Sequence, residues 1–158
     1  MDELARRLGA RLKAANEILA TAESCTGGWA AQVVTSVAGS SAWFERGFVT
    51  YSNAAKQELL GVRTETLRAH GAVSEETARE MAGGALERSR ASVSVSITGV
   101  AGPAGGTPEK PVGTVCFAWA RGGEVRSETR RFAGDRESIR RQSVILALEG
   151  VLRALDGG

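Results

Sequence analysis

Short apolar runs alternate with amphipathic stretches along the whole chain, and this alternation leaves few folds open to it. Apolar residues at helical spacing, beginning with Leu4, Leu8 and Leu12, predict five helices at about residues 3–15, 27–38, 54–60, 74–88 and 135–155. Apolar and β-branched runs between them predict five strands at about residues 18–22, 43–51, 92–98, 112–120 and 124–132. The last two strands flank a Gly-Gly turn and form an antiparallel hairpin. We therefore predict an α/β fold, a three-layer α/β/α domain with a mixed sheet of about five strands.

The length and composition are those of one folded domain. The chain has 158 residues, of which 42% are hydrophobic and 24% charged, so we expect a compact protein rather than a disordered or fibrous one. No apolar run approaches the roughly 18–20 residues that span a membrane, and Met1-Asp2-Glu3 does not begin a signal peptide. We expect a single domain over residues 1–158, located in the cytoplasm and not in a membrane.

Histidine and cysteine are scarce, which removes several classes of site. His70 is the only histidine, whereas imidazole zinc sites need several, and a Ser-His-Asp triad would have to use this one residue. Cys25 and Cys116 do not form a CxxC pair, so we expect free thiols and no metal site. The net charge is +2 with dispersed basic residues, which does not favour nucleic-acid binding. A hydrolase with this sequence would need a base other than histidine.

Ser24 follows a predicted strand and precedes a predicted helix. We expect its hydroxyl to lie beside the free backbone N–H groups of Gly27 and Gly28, with Thr26 as the N-cap of the helix. A serine beside backbone donors is a recurring arrangement in acyl transfer, because the donors stabilise an oxyanion. The alternative is a helix cap with turn glycines and no catalytic role. Cys25 is a competing nucleophile, but a cysteine enzyme needs a partner base, and Cys25 is better explained as a packed small residue.

Lys56 occupies an unfavourable position for a cation. If Asn53 is the N-cap of the next helix, Lys56 falls at the third helical position, where the helix dipole disfavours positive charge by about 0.3–1 kcal/mol. The same field lowers the pKa of a lysine, and a neutral lysine can replace histidine as the base for a serine. Tyr51 lies five residues upstream and could relay or orient the proton. The alternative is an exposed lysine beside a rim tyrosine.

Two further stretches could bind a ligand. The loop from Gly99 to Gly106 matches neither Walker A nor the Rossmann fingerprint, but its glycines permit close backbone approach. Its alternative is a long surface turn. Arg136 and Arg140 share one face at the start of the last helix, where an anion would relieve the unfavourable charge of Arg136. Together they could bind a phosphate, although exposed arginines are common in a chain this rich in arginine.

The same stretches resemble a known family. The motifs are Ala22-Glu23-Ser24-Cys25-Thr26-Gly27-Gly28, residues 39–53 with Lys56, residues 97–106 with Lys110-Pro111-Val112-Gly113, and Gly134-Asp135-Arg136 with Arg140. In this order they closely resemble the CinA C-terminal domain family, over nearly the whole chain. We find no departure from the family pattern within the motifs.

The resemblance implies a function and a set of roles. It implies hydrolysis of the carboxamide of nicotinamide mononucleotide to nicotinate mononucleotide and ammonia, without a cofactor, as a salvage step of pyridine nucleotide metabolism. It implies Ser24 as nucleophile and Tyr51 and Lys56 as its proton-handling partners. The substrate-binding residues would be Thr26, Gly27, Gly28, Thr98, Gly99, Arg136 and Arg140. It also implies a three-layer α/β/α fold and a homo-oligomer. The alternative function is a non-catalytic nucleotide-binding or competence-linked interaction module.

Overall fold

A mixed sheet of five strands forms the centre of the protein, in a computed structural model that describes residues 1–157. The strands are β1 (Leu19–Glu23), β2 (Phe44–Val49), β3 (Val93–Gly99), β4 (Thr114–Arg121) and β5 (Glu124–Arg131). Their order across the sheet is β2-β1-β3-β4-β5. β1 runs parallel to β2 and β3, whereas β4 runs antiparallel to β3 and β5. The predicted α/β class, mixed sheet and terminal hairpin are confirmed.

Within residues 1–157, six α-helices surround the sheet. They are α1 (Asp2–Ala15), α2 (Trp29–Thr35), α3 (Asn53–Leu60), α4 (Thr64–His70), α5 (Glu75–Glu87) and α6 (Arg136–Leu155), with a single 3₁₀ turn at Ser40–Ala42. Five of these helices were predicted. The sequence did not predict α4, because only Thr66 of its seven residues is buried and an apolar stripe is therefore lacking. No helix within residues 1–157 combines the length and apolar character that a membrane crossing requires.

The two faces of the sheet differ in side-chain size. Large apolar residues of one face, among them Leu19, Ile97 and Phe117, pack with α1, α2 and α6. The other face carries small residues and packs against α5. There, Ser94 Oγ donates to the Ala82 carbonyl at 2.7 Å and Ser96 Oγ donates to the Ala78 carbonyl at 2.6 Å. The small, hydrogen-bonded side chains of this face allow α5 to lie close to the sheet.

α5 also lies against α3 at a position where only glycine fits. A Cβ atom on Gly84 would stand 1.9 Å from the backbone oxygen of Leu60, the last residue of α3. Real Cβ atoms essentially never approach another atom that closely. The neighbouring Gly83 would place a Cβ in open space. The separation of α3 and α5 is therefore fixed by the missing side chain at Gly84.

The two N-caps named from the sequence, Thr26 and Asn53, are wrong, whereas α5 and α6 begin with side-chain caps. Ser74 accepts from the Thr77 N–H and Asp135 from the Ser138 N–H, as expected for N-caps. α3 is capped by Ser52 rather than Asn53, because Ser52 Oγ accepts from the Ala55 N–H at 3.0 Å. The N-cap of α2 is Gly28, which has φ 103°, rather than Thr26, whose hydroxyl donates elsewhere.

The two strands that follow β1 in the sequence, β2 and β3, lie on opposite sides of it in the sheet. From β1 it passes through α2 to β2 on one side, and from β2 it passes through α3, α4 and α5 to β3 on the other. α2 and α5 cover opposite faces, so the two crossovers diverge above the carboxyl end of β1. Such a switch point opens a crevice that commonly binds ligands in α/β sheets. The fold therefore directs attention to the residues that follow β1, β2 and β3.

Candidate active site

A cleft of about 340 Å³ opens at these carboxyl ends and admits a small molecule. Ser24 and Cys25 line it after β1, Tyr51 and Lys56 line it after β2, and the end of β3 lines it together with the loop that follows, over residues 98–106. Arg136 reaches the cleft from the start of α6. The structure thus brings six predicted site residues into one cleft: Ser24, Tyr51, Lys56, Thr98, Gly99 and Arg136. The other four predicted site residues, Thr26, Gly27, Gly28 and Arg140, do not line it.

Ser24 and Lys56 form a close buried pair at the floor of the cleft. The Lys56 Nζ atom lies 2.9 Å from Ser24 Oγ and donates to the Thr50 carbonyl at 3.0 Å. Lys56 is 2% exposed and Ser24 is 8% exposed. In the described part of the chain, Lys56 forms no salt bridge with an acidic residue. The amine is therefore buried, held by two hydrogen bonds and directed at a hydroxyl group.

Burial lowers the pKa of Lys56 below its ordinary value of 10.5, because the charged ammonium loses its hydration. This direction agrees with the sequence prediction, but the cause differs. With Ser52 as the N-cap, Lys56 is the fourth helical residue rather than the third, so the dipole at the helix terminus acts on it less. A lowered pKa increases the fraction of neutral amine, which is the form that can accept a proton from Ser24.

Cys25 is unsuited to compete with Ser24 as a nucleophile. Burial, with a smaller contribution from the negative charge of Glu23, raises the pKa of the Cys25 thiol to about 12. The thiolate, which is the reactive form, is therefore scarce at neutral pH. Cys25 belongs to the apolar core cluster that packs under the sheet, which confirms its interpretation as a packed small residue.

The loop after Ser24 is held from inside by a carboxylate that the sequence did not single out. Glu23 is 1% exposed, and its oxygens accept from Thr26 Oγ1 at 2.6 Å and from the backbone N–H groups of Ala30 and Ala31 at 2.9 and 3.0 Å. The Gly27 N–H donates to the Ser24 carbonyl at 3.0 Å. Of the two predicted free donors, Gly27 and Gly28, the Gly27 N–H is thus already engaged, and two N–H groups of the first turn of α2 are taken by Glu23. The sequence offered no signal for this role, because Glu23 follows the predicted strand run of residues 18–22 and starts a polar segment.

Arg140 holds the same loop from its carbonyl side. Its Nε atom donates to the Cys25 carbonyl and its Nη2 atom to the Thr26 carbonyl, both at 3.1 Å. The guanidinium also lies over the Trp29 ring, 5.5 Å from the centroid. The structure therefore commits Arg140 to the loop of residues 24–28, although the sequence interpretation paired it with Arg136 as a phosphate ligand.

Arg136 and Tyr51 meet at the mouth of the cleft. Arg136 Nη1 donates to the Gly102 carbonyl at 2.8 Å, and Nη2 donates to the Tyr51 hydroxyl at 3.1 Å. Tyr51 is 63% exposed. The hydroxyl of Tyr51 is thus bonded to Arg136 rather than to Ser24 or Lys56 in this structure.

The glycine-rich loop forms the opposite wall. Thr98 Oγ1 donates to the Ala72 carbonyl at 2.9 Å, which ties the end of β3 to the segment before α5. A Cβ at Gly99 would stand 2.8 Å from the Thr114 carbonyl, so the close pairing of β3 and β4 requires glycine there. Lys110 Nζ donates to the His70 carbonyl at 2.6 Å and anchors the far end of the loop. The described residues contain no cluster of three or more potential metal ligands.

Comparisons with known proteins agree with one another. The family described as the CinA C-terminal domain matches residues 1–155. Nicotinamide-nucleotide amidohydrolase PncC of Escherichia coli K12 is 57% identical over 148 residues, which cover 93% of this chain and 90% of that protein. The protein of the same name from Pseudomonas putida is 55% identical, over 95% of this chain and 94% of that protein. The crystal structure of competence/damage inducible protein CihA from Agrobacterium tumefaciens superposes with a TM-score of 0.94 at 52% identity, covering 98% of this chain and 94% of that one. This chain belongs to the CinA C-terminal domain family.

Proposed function

We propose that this protein is a nicotinamide-nucleotide amidohydrolase that converts nicotinamide mononucleotide and water to nicotinate mononucleotide and ammonia. Similarity to PncC proteins at 55–57% identity over more than nine-tenths of the chain supports the substrate class. The observation that carries the proposal is the 2.9 Å contact between Ser24 Oγ and the buried Lys56 amine. That contact supplies a nucleophile and a base without histidine. The reaction is a salvage step, because it returns a nicotinamide nucleotide to the acid form.

In the first half of the proposed reaction, Ser24 attacks the carboxamide. The neutral Lys56 amine takes the hydroxyl proton as Oγ bonds to the amide carbon, and the carbonyl oxygen becomes an oxyanion. When the tetrahedral intermediate collapses, the C–N bond breaks and Lys56 returns the proton to the departing nitrogen, which leaves as ammonia. The enzyme is left as a nicotinoyl ester on Ser24.

In the second half, water replaces the serine. Lys56, neutral again, accepts a proton from a water molecule that attacks the ester carbon. Collapse of this second intermediate breaks the bond to Oγ, and Lys56 returns the proton to Ser24. The product carries a carboxylic acid, which ionises at neutral pH.

Binding of the rest of the nucleotide is assigned to the mouth and wall of the cleft. Arg136 is the proposed phosphate ligand, because its guanidinium lies at the mouth and retains donors beyond the two used on Gly102 and Tyr51. Residues 98–106 form the wall along the substrate. Tyr51 is proposed to line the entrance and to assist proton transfer to the leaving nitrogen, in a secondary role to Lys56.

Ammonia release from nicotinamide mononucleotide tests the proposal. The parent protein is expected to release one ammonia per nucleotide consumed, and Ser24→Ala is expected to lower kcat at least about 1,000-fold, since the attacking oxygen is lost while the backbone is kept. Cys25→Ala serves as the matched control and is expected to stay within about fivefold of the parent, because the Cys25 thiol packs in the core cluster and the substitution keeps the backbone. A parent protein that releases no ammonia, or an inactive Cys25→Ala beside an active Ser24→Ala, would contradict the assignment.

A further inference from the structure

Glu23 is an acidic residue whose side chain is buried. It is the last residue of β1, directly before Ser24, and its side chain is enclosed on the face of the sheet that α2 covers. It does not line the cleft, so it cannot touch a substrate there. Within residues 1–157, Glu23 forms no salt bridge with a lysine or an arginine. Buried carboxylates without a cationic partner are rare, because desolvation penalises the charge.

Three donors compensate for the missing cation. The Thr26 hydroxyl and the Ala30 N–H both donate to Oε1, and the Ala31 N–H donates to Oε2. Two of these donors are backbone groups at the start of α2, where the helix dipole also favours a negative charge. The carboxylate therefore fastens α2 to the end of β1 and bridges the intervening Ser24–Gly28 turn. Arg140 holds the same turn through the Cys25 and Thr26 carbonyls.

The backbone of Glu23 is connected to the base as well. The Thr50 N–H donates to the Glu23 carbonyl at 2.8 Å, and the Thr50 carbonyl accepts from Lys56 Nζ at 3.0 Å. The Ser24 N–H donates to the Ile97 carbonyl at 2.9 Å. Ser24 directly follows Glu23, and Lys56 is linked to the Glu23 carbonyl through Thr50, so the backbone at residue 23 supports both members of the contact. A movement of residue 23 would change the distance between Oγ and Nζ.

We propose that Glu23 is a positioning residue for the nucleophile: its buried carboxylate keeps Ser24 Oγ within reach of Lys56. This inference rests on the proposed role of Ser24. Glu23 also fills the start of α2 with a negative charge, so a substrate anion binds elsewhere, at the mouth of the cleft. The carboxylate acts through Ser24 and takes no part in proton transfer.

Covalent labelling of Ser24 by a fluorophosphonate probe measures this role without the nucleotide. In that reaction Ser24 Oγ bonds to phosphorus, fluoride leaves, and the hydroxyl proton passes to Lys56. Glu23→Gln keeps the side-chain shape but turns a donating NH₂ group toward groups that are themselves donors. We expect its labelling rate and its kcat for nicotinamide mononucleotide to fall about 10–100-fold, with KM changed less than about threefold. Glu58→Gln, on the exposed side of α3, is the matched control and should label at the parent rate.

A second variant keeps the positioning role testable if Glu23→Gln folds poorly. Thr26→Val removes one of the three donors and leaves the carboxylate in place, so we expect a fall of about three- to tenfold in labelling rate. Measurements are made well below the Tm of each variant, so that loss of stability alone does not move the rate. Folded Glu23→Gln or Thr26→Val protein that labels within twofold of the parent overturns the positioning role.

The same probe separates this inference from the proposed substrate. A parent protein that is labelled at Ser24 but does not hydrolyse the nucleotide refutes the substrate and leaves the positioning role to be decided by the variants. A parent protein that is not labelled refutes Ser24 as the nucleophile, and the role of Glu23 with it.

Discussion

At the scale of single residues, burial of the Lys56 amine links the chemistry of the cleft to pH. In the proposed mechanism only the neutral amine accepts the proton of Ser24, and burial lowers the pKa of Lys56 below 10.5. We expect kcat/KM to rise with pH as Lys56 loses its proton and to level off before pH 10.5. The pH profile of ammonia release measures this.

Lys56→Arg distinguishes a base from a positive charge. Guanidinium stays protonated over the accessible pH range, so this variant is expected to be nearly inactive and to show no rise with pH. Lys13→Arg, at an exposed position of α1, is the control and should keep the parent profile. A Lys56→Arg protein with the parent rate and profile would remove lysine from the mechanism.

The sequence singled out the two residues of the Ser24–Lys56 contact, but it did not single out the residues that support this contact. Ser24 and Lys56 were predictable because each breaks a local pattern: a serine between a strand and a helix, and a lysine near a helix start. Glu23 was not, because a sequence gives no sign that a glutamate at a strand end turns inward. The direction of the Lys56 pKa was predicted for a reason that the Ser52 cap makes minor, since burial depends on tertiary packing that periodicity does not reveal.

At the scale of elements, α6 carries two arginines with different surroundings. They are one helical turn apart, yet Arg136 faces the cleft mouth and Arg140 faces the loop of residues 24–28. Sequence spacing placed both on one helical face, as the structure does, but it could not separate their partners. The same limit applies to α4 and to the caps of α2 and α3, where short polar segments offer several equivalent choices of boundary.

Substrates with and without a phosphate separate these two arginines. We expect Arg136→Ala to lower kcat/KM for nicotinamide mononucleotide about 10–150-fold, the value of one charge-assisted contact, and to change nicotinamide riboside little. Arg140→Ala should lower kcat/KM for both substrates alike, because it loosens the loop that carries Ser24. Arg141→Ala is the control on the same helix, since Arg141 is partnered by Glu137 and lies away from the cleft. Equal losses for both substrates in Arg136→Ala would move the phosphate site to the loop of residues 98–106.

At the scale of the whole molecule, the site lies at the switch point above the carboxyl end of β1. Burial of the Lys56 amine there destabilises the folded protein. Between the lowered pKa of folded Lys56 and its ordinary value of 10.5, the unfolded chain binds the proton more tightly. The free energy of unfolding therefore rises with pH across that window, and below it the full penalty applies, at about 1.4 kcal/mol for each unit by which the pKa is lowered. The strand order, and with it the burial of Lys56, could not be predicted from the sequence. The residue pattern of a strand does not indicate which other strands lie beside it.

Urea unfolding of the parent and of Lys56→Met between pH 7 and pH 10.5 tests this linkage. Methionine has similar length and no proton to lose, so the free energy of unfolding of the parent minus that of Lys56→Met should increase as pH rises. Lys13→Met removes an exposed positive charge as the comparison and should give a difference that changes much less. A flat difference for Lys56→Met would show that Lys56 keeps its ordinary pKa in the folded protein. The homo-oligomeric state expected from the family stays a prediction.

The close approach of Gly84 to Leu60 has a consequence for the Ser24–Lys56 contact. A methyl group at Gly84 would push on the carbonyl at the end of α3, and α3 is the helix that carries Lys56. Because a short helix moves largely as one body, the push would reach the amine that must stay within 2.9 Å of Ser24. We therefore expect a side chain at Gly84 to disturb the Ser24–Lys56 contact although Gly84 does not line the cleft, whereas a side chain at Gly83 would meet open space.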